Sequence, residues 1–320
     1  MSEANPSVEN TSAAPTTLGG ATLAEVTRPR RSLWSDAWGR FRRHRMAVAG
    51  AVVFLLLAIG VIAGPLVWHG DPRKIDFARS LQPPSRAHPM GTDDLGRDVL
   101  ARVMLGGRVS LSVGVAAMLI AMTLGTLIGA VAGFLGGRVD GILMRITDLF
   151  LALPVVPLLL LLIFLFRDSL RRAFGAETGI FILIVTVIGA LNWMTVARLV
   201  RSSFLSLKQK EFVEAAHALG VGELTIMFRH ILPNALGPII VAATLGVGAA
   251  IITESVLSFL GLGFPPDTPT WGRLLYDGQN FLDFAPWMVL WPGFLIFLTV
   301  LSINYIGDGL RDALDPRSQL

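Results

Sequence analysis

The sequence is apolar and contains no cysteine. It has 320 residues, of which 53% are hydrophobic and 16% charged, and its mean hydropathy is +0.63. Apolar blocks longer than about 18 residues are typical of membrane proteins with several spans and exclude a soluble globular class. Without cysteine, disulfides, thiolate metal sites and cysteine nucleophiles are excluded. The net charge of +4 does not indicate a nucleic-acid partner, because the basic residues flank the apolar blocks instead of forming one patch.

The first 34 residues are predicted to form a disordered cytoplasmic tail. Residues 1–27 are rich in Ser, Thr, Ala, Asn and Pro and have no apolar core. They lack the basic start and short apolar region of a secretory signal, so we expect the first span to act as the insertion signal. Residues 35–320 are predicted to form one membrane domain.

The apolar blocks of this domain predict an all-α polytopic membrane protein. A helix rises 1.5 Å per residue, so about 20 residues cross a hydrocarbon layer about 30 Å thick. By this measure the sequence predicts six spans, at about residues 46–68, 109–135, 142–166, 179–200, 236–262 and 287–306. Pro154 and Pro157 fall within the third span, where they predict a kink.

Arginine and lysine residues predict the orientation of the spans. A dense group of arginines before the first span predicts a cytoplasmic amino terminus: Arg28, Arg30, Arg31, Arg40, Arg42, Arg43 and Arg45. Six spans then return the carboxyl terminus to the cytoplasm, where the loop 201–235 also lies. The external segment from His69 to Arg108 is arginine-rich too, but it also carries aspartates, and the first span usually dominates orientation.

The loop 201–235 predicts two short helices at the membrane face. Phe212, Ala215, Ala216 and Leu219 recur at i, i+3, i+4 and i+7, which places them on one apolar stripe. Gly220 is predicted to end this helix in a left-handed cap, and a second helix, residues 222–231, is predicted to stop at Pro233. We call residues 211–231 the knob. The alternative is an amphipathic helix lying on lipid headgroups.

The knob resembles the EAA loop of permease subunits of ABC importers. The residues that carry the resemblance are Glu214, Ala215, Ala216, Gly220, Leu232 and Pro233, with His230 where many members have isoleucine. The stretches Gly91–Gly114, Glu254–Leu275 and Gly307–Arg317 resemble the second permease subunit of dipeptide, oligopeptide and nickel importers. The resemblance covers most of the chain from about residue 35.

The resemblance implies a type I importer permease fold, in which the loop is a coupling helix docked on a cytoplasmic ATPase. It implies that Glu214, Ala215, Ala216, Gly220, His230 and Pro233 contribute to this coupling; His230 would contact the ATPase or cap the second helix. The implied partners are a second, homologous permease subunit in a heterodimer, two ATP-binding subunits, an extracytoplasmic solute-binding protein and the bilayer. The implied location is a bacterial or archaeal plasma membrane.

The transported solute is expected to be a di- or oligopeptide. Nickel chelates and glutathione-like solutes are the alternatives that the resemblance leaves open. No Walker A sequence and no dinucleotide fingerprint occur, so we expect ATP hydrolysis in the partner subunits, and no cofactor or metal in this chain. A membrane-embedded enzyme is a distant alternative, because no paired carboxylates stand one turn apart within a span. A stand-alone channel would need no knob.

Three further features are candidates for packing or function. Gly125, Gly129, Gly133 and Gly137 recur every four residues and predict close packing, either within this subunit or against the second permease subunit. Glu254 and Asp148 lie within predicted spans, where an acid is costly, so they are gate or pathway candidates. For Glu254, pairing with an arginine is an equal alternative. The segment after Gly91 predicts a helix along the outer surface or a plain connector.

Overall fold

The computed structural model describes residues 33–315, and most of these residues are helical. The predicted tail lies outside the described residues except for its last two positions, which begin the first helix. The helices are α1 Leu33–Arg43, α2 Arg45–Val67, α3 Val99–Leu135, α4 Gly137–Ala152, α5 Val155–Phe174, α6 Ala176–Lys208, α7 Glu211–Ala218, α8 Glu223–Thr225, α9 Leu232–Phe259, α10 Trp271–Gly278 and α11 Trp287–Leu314.

Five helical segments of the described chain are long and apolar enough to cross a membrane, and a bent pair supplies a sixth candidate. The five are α2, α3, α6, the continuous segment Glu223–Phe259 and α11. Each contains most or all of a predicted span. Helices α3 and α6 are longer than predicted because they continue in less apolar turns at one end: α3 begins ten residues before the predicted start at 109, and α6 continues to Lys208.

The third predicted span, residues 142–166, is broken where its prolines predicted a kink. Helices α4 and α5 replace it and meet at an angle of 87°. Leu153, which precedes Pro154, has extended backbone angles of φ −75° and ψ 141°. A proline disfavours helical geometry in the residue before it and supplies no N–H for the helix, so the chain breaks there. Pro157 lies in the first turn of α5, where a missing N–H is tolerated.

The centre of the bundle is the interface between α3 and α6, where three of the predicted glycines lie. A Cβ atom on Gly125 would come within 2.6 Å of the Val196 Cβ, and one on Gly133 would come within 2.7 Å of the Phe204 Cβ. A Cβ atom on Gly129 would come within 2.4 Å of the Ala197 carbonyl oxygen. This stripe therefore packs within the subunit, which decides between the two predicted uses.

Gly137 does not belong to this stripe, so its predicted packing role is wrong. Helix α3 ends at Leu135, and Gly136 and Gly137 have positive φ values of 70° and 54°. A Cβ on Gly137 would meet nothing within 4 Å. The four-residue spacing continues in the sequence, but the turn points Gly137 away from α6. Its glycine is needed for the backbone conformation.

Both ends of the described chain lie together at one end of the bundle. Phe41 and Ala37 of α1 are buried against Ala47 of α2 and Ala313 of α11. The Arg40 guanidinium also donates to the backbone oxygen of Asp315 at 3.3 Å. A cleft of about 650 Å³ at the other end is lined by Trp68, Asp71 and other residues of the segment between α2 and α3.

Candidate functional site

Helix α7 rests on the bundle through one narrow face. Val213 and Ala216 are buried in a cluster with Phe204 of α6. Of the other predicted stripe residues, Phe212 is 40% exposed and Leu219 is 83% exposed. The predicted stripe therefore does not form one face. Ala216 faces the bundle together with Val213, whereas Phe212 and Leu219 are exposed.

The outward surface of α7 combines acids with small or apolar side chains. Glu211, Glu214 and Ala215 are exposed beside Phe212 and Leu219. The side chain of Glu214 forms no hydrogen bond or ion pair with another residue of the described chain. An exposed apolar patch among acids is typical of a surface that binds another protein.

Gly220 ends α7 as predicted. Its φ is +74°, its N–H donates to the His217 carbonyl at 3.0 Å, and the Val221 N–H donates to the Ala216 carbonyl at 3.1 Å. These two bonds form a Schellman motif, which satisfies the last carbonyls of the helix and reverses the chain. An alanine at this position would require the left-handed conformation that glycine adopts without penalty.

The prediction that the second helix of the knob stops at Pro233 is wrong. The chain passes from α8 through a π-helical stretch, Ile226–Ile231, into α9, where Pro233 lies in the first turn. The Leu232 N–H donates to the carbonyl of Met227, five residues earlier. This wider turn accommodates the proline, which clashes with the carbonyl four residues before it in a regular helix.

His230 lies within this continuous helix, so it does not cap a helix end. Its backbone carbonyl accepts a 2.6 Å hydrogen bond from the Asn234 side chain. The imidazole is half-buried and has no hydrogen bond to the rest of the described chain. The predicted capping role is therefore not observed, and contact with the ATPase stays a prediction.

The base of the knob is held by apolar packing beside a lysine that joins α6 to α3. Ile226 and Ile231 are fully buried in the cluster that also contains Val213. Lys208, at the end of α6, donates to the carbonyl oxygen of Phe134 at 2.6 Å, which ties α6 to the end of α3. The base of the knob therefore packs against the ends of the central helix pair.

Glu254 is fully buried and bonds to hydroxyl groups, not to an arginine. The Ser110 hydroxyl donates to Oε2 at 3.0 Å, and the Ser258 hydroxyl donates to Oε1 at 2.7 Å. Ser110 also accepts the backbone N–H of Trp271, the first residue of α10, at 3.2 Å. The carboxyl group thus joins α3 and α9, and through Ser110 it is linked to the start of α10.

Asp148 pairs with Arg198 across α4 and α6. Their side chains are 58% and 53% exposed. A second pair, Asp140 with Arg201, joins the same two helices and is more buried, with exposures of 15% and 33%. The sequence analysis named Asp148 but did not predict that Arg198 and Arg201 pair with the acids of α4. The signal for these pairs was the position of both arginines in the less apolar turns of α6.

The segment from Gly91 is neither a surface helix nor a plain connector. Residues 91–98 form an irregular loop, and Asp98 caps α3 by accepting the Ala101 N–H at 2.8 Å. Arg102 is only 1% exposed and pairs with Asp93 of this loop and Asp277 of α10. Asp98 also accepts a hydrogen bond from the Trp68 indole at 3.2 Å. The alternation of acids and arginines in residues 93–102 is the sequence feature from which this buried network could have been predicted.

Burial raises the pKa of the Asp94 carboxyl above its ordinary value, and the neighbouring Asp93 carboxylate adds to this effect. Asp94 lies in the loop before α3, outside the spanning helices. Ionised Asp94 is therefore an unfavourable charge in an otherwise well-paired network.

Within residues 33–315, no group of three or more His, Cys, Asp or Glu side chains is arranged to hold a metal ion. The bundle of apolar helices defines the class of the protein: a polytopic α-helical membrane protein with a two-helix knob at one end.

Comparisons with known proteins identify the family. A family model described as "Binding-protein-dependent transport system inner membrane component" matches residues 125–319. Another, the "N-terminal TM domain of oligopeptide transport permease C", matches residues 32–84. The chain belongs to the family of binding-protein-dependent transport system inner membrane components, which places it in the bacterial plasma membrane.

Its relatives include permease proteins of several transport systems. The chain is 37% identical over 303 residues to the oligopeptide transport system permease protein OppC of Bacillus subtilis, covering 95% of this chain and 96% of the relative. It is 42% identical to the dipeptide permease DppC of Alkalihalophilus pseudofirmus, covering 89% and 90%. It is 38% identical to the glutathione permease GsiD of Pectobacterium atrosepticum, covering 90% and 92%.

A solved structure supports the fold. A chain of the MetNI methionine ABC transporter, in an inward-facing conformation, matches with a TM-score of 0.52 and 17% identity, covering 68% of this chain and 96% of that chain. The predicted ABC transporter permease fold is confirmed. At this level of identity the match shows the fold alone.

Proposed function

We propose that this chain is the transmembrane permease subunit of an ATP-driven importer of di- or oligopeptides and forms half of its translocation pathway. A second, homologous permease subunit would form the other half. Two ATP-binding subunits would dock on the cytoplasmic side, and an extracytoplasmic binding protein would deliver the solute. The chain itself is non-catalytic and needs no cofactor or metal.

The single observation that carries the coupling proposal is the exposed outer face of α7. Glu214 and Ala215 are free to meet a partner, while Val213 and Ala216 anchor the helix to the end of α6. An ATPase that binds this face differently in its open and closed states would bias a two-state membrane element through α6. Ala215 lets the partner approach closely because its side chain is small.

The knob is proposed to lie in the cytoplasm together with both termini. One cleft is lined by Leu207 at the end of α6, Asn234 at the start of α9 and Asp315 after α11. This supports the interpretation that the knob and both ends of residues 33–315 share one side. The arginine-rich segment before α2 favours the cytoplasm for that side.

A peptide is proposed as the solute because oligopeptide and dipeptide permeases are among the relatives that align over most of the chain. A glutathione permease matches at comparable identity, so glutathione-like solutes are the second candidate. Mass spectrometry of the ligand held by the associated binding protein distinguishes them. A nickel chelate as the sole ligand would contradict the peptide proposal.

The coupling proposal is tested by the double variant Glu214→Lys with Gly220→Pro in the complete importer. The charge reversal alters the outer face of α7, and proline cannot adopt the φ of +74° found at Gly220. We expect the complex to remain in the membrane while ATP-driven peptide uptake falls about tenfold or more, as for loss of an interface hot spot. The matched control is Asp308→Lys, an exposed charge reversal on α11 outside the knob. Unchanged uptake in the double variant would refute the assignment.

A further inference from the structure

Helix α4 is unusually exposed for part of a membrane-crossing segment. Of its residues Gly137–Ala152, only Thr147 is buried. The two ion pairs with α6, Asp140 with Arg201 and Asp148 with Arg198, hold it to the bundle. Most of its surface is therefore available to lipid, water or another subunit.

The exposed surface of α4 has two chemically different faces. Ile142, Ile146 and Leu149 recur at i, i+4 and i+7 and form an exposed apolar stripe. Residues 141, 145 and 148 follow the same spacing and form an exposed polar face, namely Gly141, Arg145 and Asp148. Arg198 of α6 joins this face through its ion pair with Asp148.

The polar face is unsuited to lipid. Arg145 and Asp148 lie about 12 and 16 Å from the start of α4, within the bent pair α4 and α5 that is the sixth candidate span. Charged side chains at membrane depth face water or protein, because exposing them to hydrocarbon is costly. The apolar stripe has no such restriction.

The charge of this face is positive. Arg145 and Arg198 stand against the single carboxylate of Asp148. The side chain of Arg145 makes no hydrogen bond or ion pair with the rest of the described chain. Guanidinium groups bind carboxylates through two parallel hydrogen bonds, which a neutral amide cannot accept in the same way.

We propose that the polar face of α4 lines the solute pathway and that Arg145 and Arg198 bind the carboxylate of the passing solute. Asp148 holds Arg198 in place when no solute is present. This inference rests on the proposed import of peptides and specifies the group that is recognised, which is the free carboxyl terminus.

The test measures ATP-driven uptake by the complete importer in proteoliposomes, for one peptide with a free carboxyl terminus and for the same peptide amidated. Arg145→Gln is expected to lower the ratio of free to amidated uptake about tenfold, which is the usual loss for a charge-assisted hydrogen bond. The binding protein is unchanged, so its own preference cancels when variant and wild type are compared. Arg171→Gln, an exposed arginine in α5, is the control and should leave the ratio unchanged.

A second measurement uses the absence of cysteine from the sequence. Gly141→Cys on the polar face and Ile142→Cys on the apolar stripe are treated with a membrane-impermeant maleimide in the assembled importer. We expect position 141 to react, to be protected by peptide, and to react faster than position 142. Faster reaction at 142, or no reaction at 141, would overturn the proposal.

The two proposals fail in distinguishable ways. Wild-type importer that takes up neither peptide would refute the peptide function. Robust uptake with an Arg145→Gln ratio equal to that of wild type would leave the transport function intact and refute only the carboxylate site.

Discussion

Replacing Gly125 by alanine is expected to destabilise the centre of the bundle. The new methyl carbon would lie 2.6 Å from the Val196 Cβ and 2.7 Å from the Trp193 carbonyl oxygen. Carbon atoms pack at about 3.5–4.0 Å, so α3 and α6 would have to separate by about 1 Å. The Trp193 carbonyl belongs to the α6 backbone and cannot rotate away. Overpacking of this kind costs about 1–3 kcal/mol.

Gly141→Ala is the matched control for this substitution. A Cβ there would meet nothing within 4 Å, and Gly141 is a helical glycine without positive φ. Alanine is favoured over glycine in a helix by about 1 kcal/mol, so this variant should be neutral or slightly more stable. Because the two substitutions are expected to change the stability in opposite directions, the comparison separates steric overlap from any general effect of replacing a glycine.

The assay is the thermal unfolding midpoint of the purified importer complex, with wild type and both variants in the same detergent. Gly125→Ala should lower the midpoint, whereas Gly141→Ala should not. Equal midpoints for Gly125→Ala and wild type would show that α3 and α6 can separate without cost, which would refute the close-packing argument.

Two further predictions concern the buried Glu254 and the half-buried Asp94. Glu254→Ala removes the acceptor of the Ser110 and Ser258 hydroxyls. Each hydroxyl left without a partner costs about 1–3 kcal/mol, so this variant should lower the unfolding midpoint more than Glu254→Gln does. Equal midpoints for the two variants would contradict this. Asp94→Asn should raise the midpoint at neutral pH, because the raised pKa of Asp94 makes its ionised form unfavourable above that pKa. The gain should shrink as the pH falls and Asp94 becomes protonated, and a gain independent of pH would show that charge is not its cause.

The sequence by itself determined the class of the protein and the outline of its fold. Apolar block length identified the membrane-crossing segments, since the bilayer thickness sets the number of residues needed. Local chemistry identified the turn at Gly220 and the break at Pro154, because a positive φ and a missing N–H are properties of single residues. The EAA pattern indicated the family.

Tertiary structure decided which side chains meet. Residues 125 and 137 belong to the same repeat, but only Gly125 packs against α6, because the turn at Gly136 ends the helix between them. Glu254 finds two serines instead of an arginine, and Ser110 comes from a helix 144 positions away in the sequence. Such partners depend on how distant helices are brought together, and no periodicity within one segment contains that information.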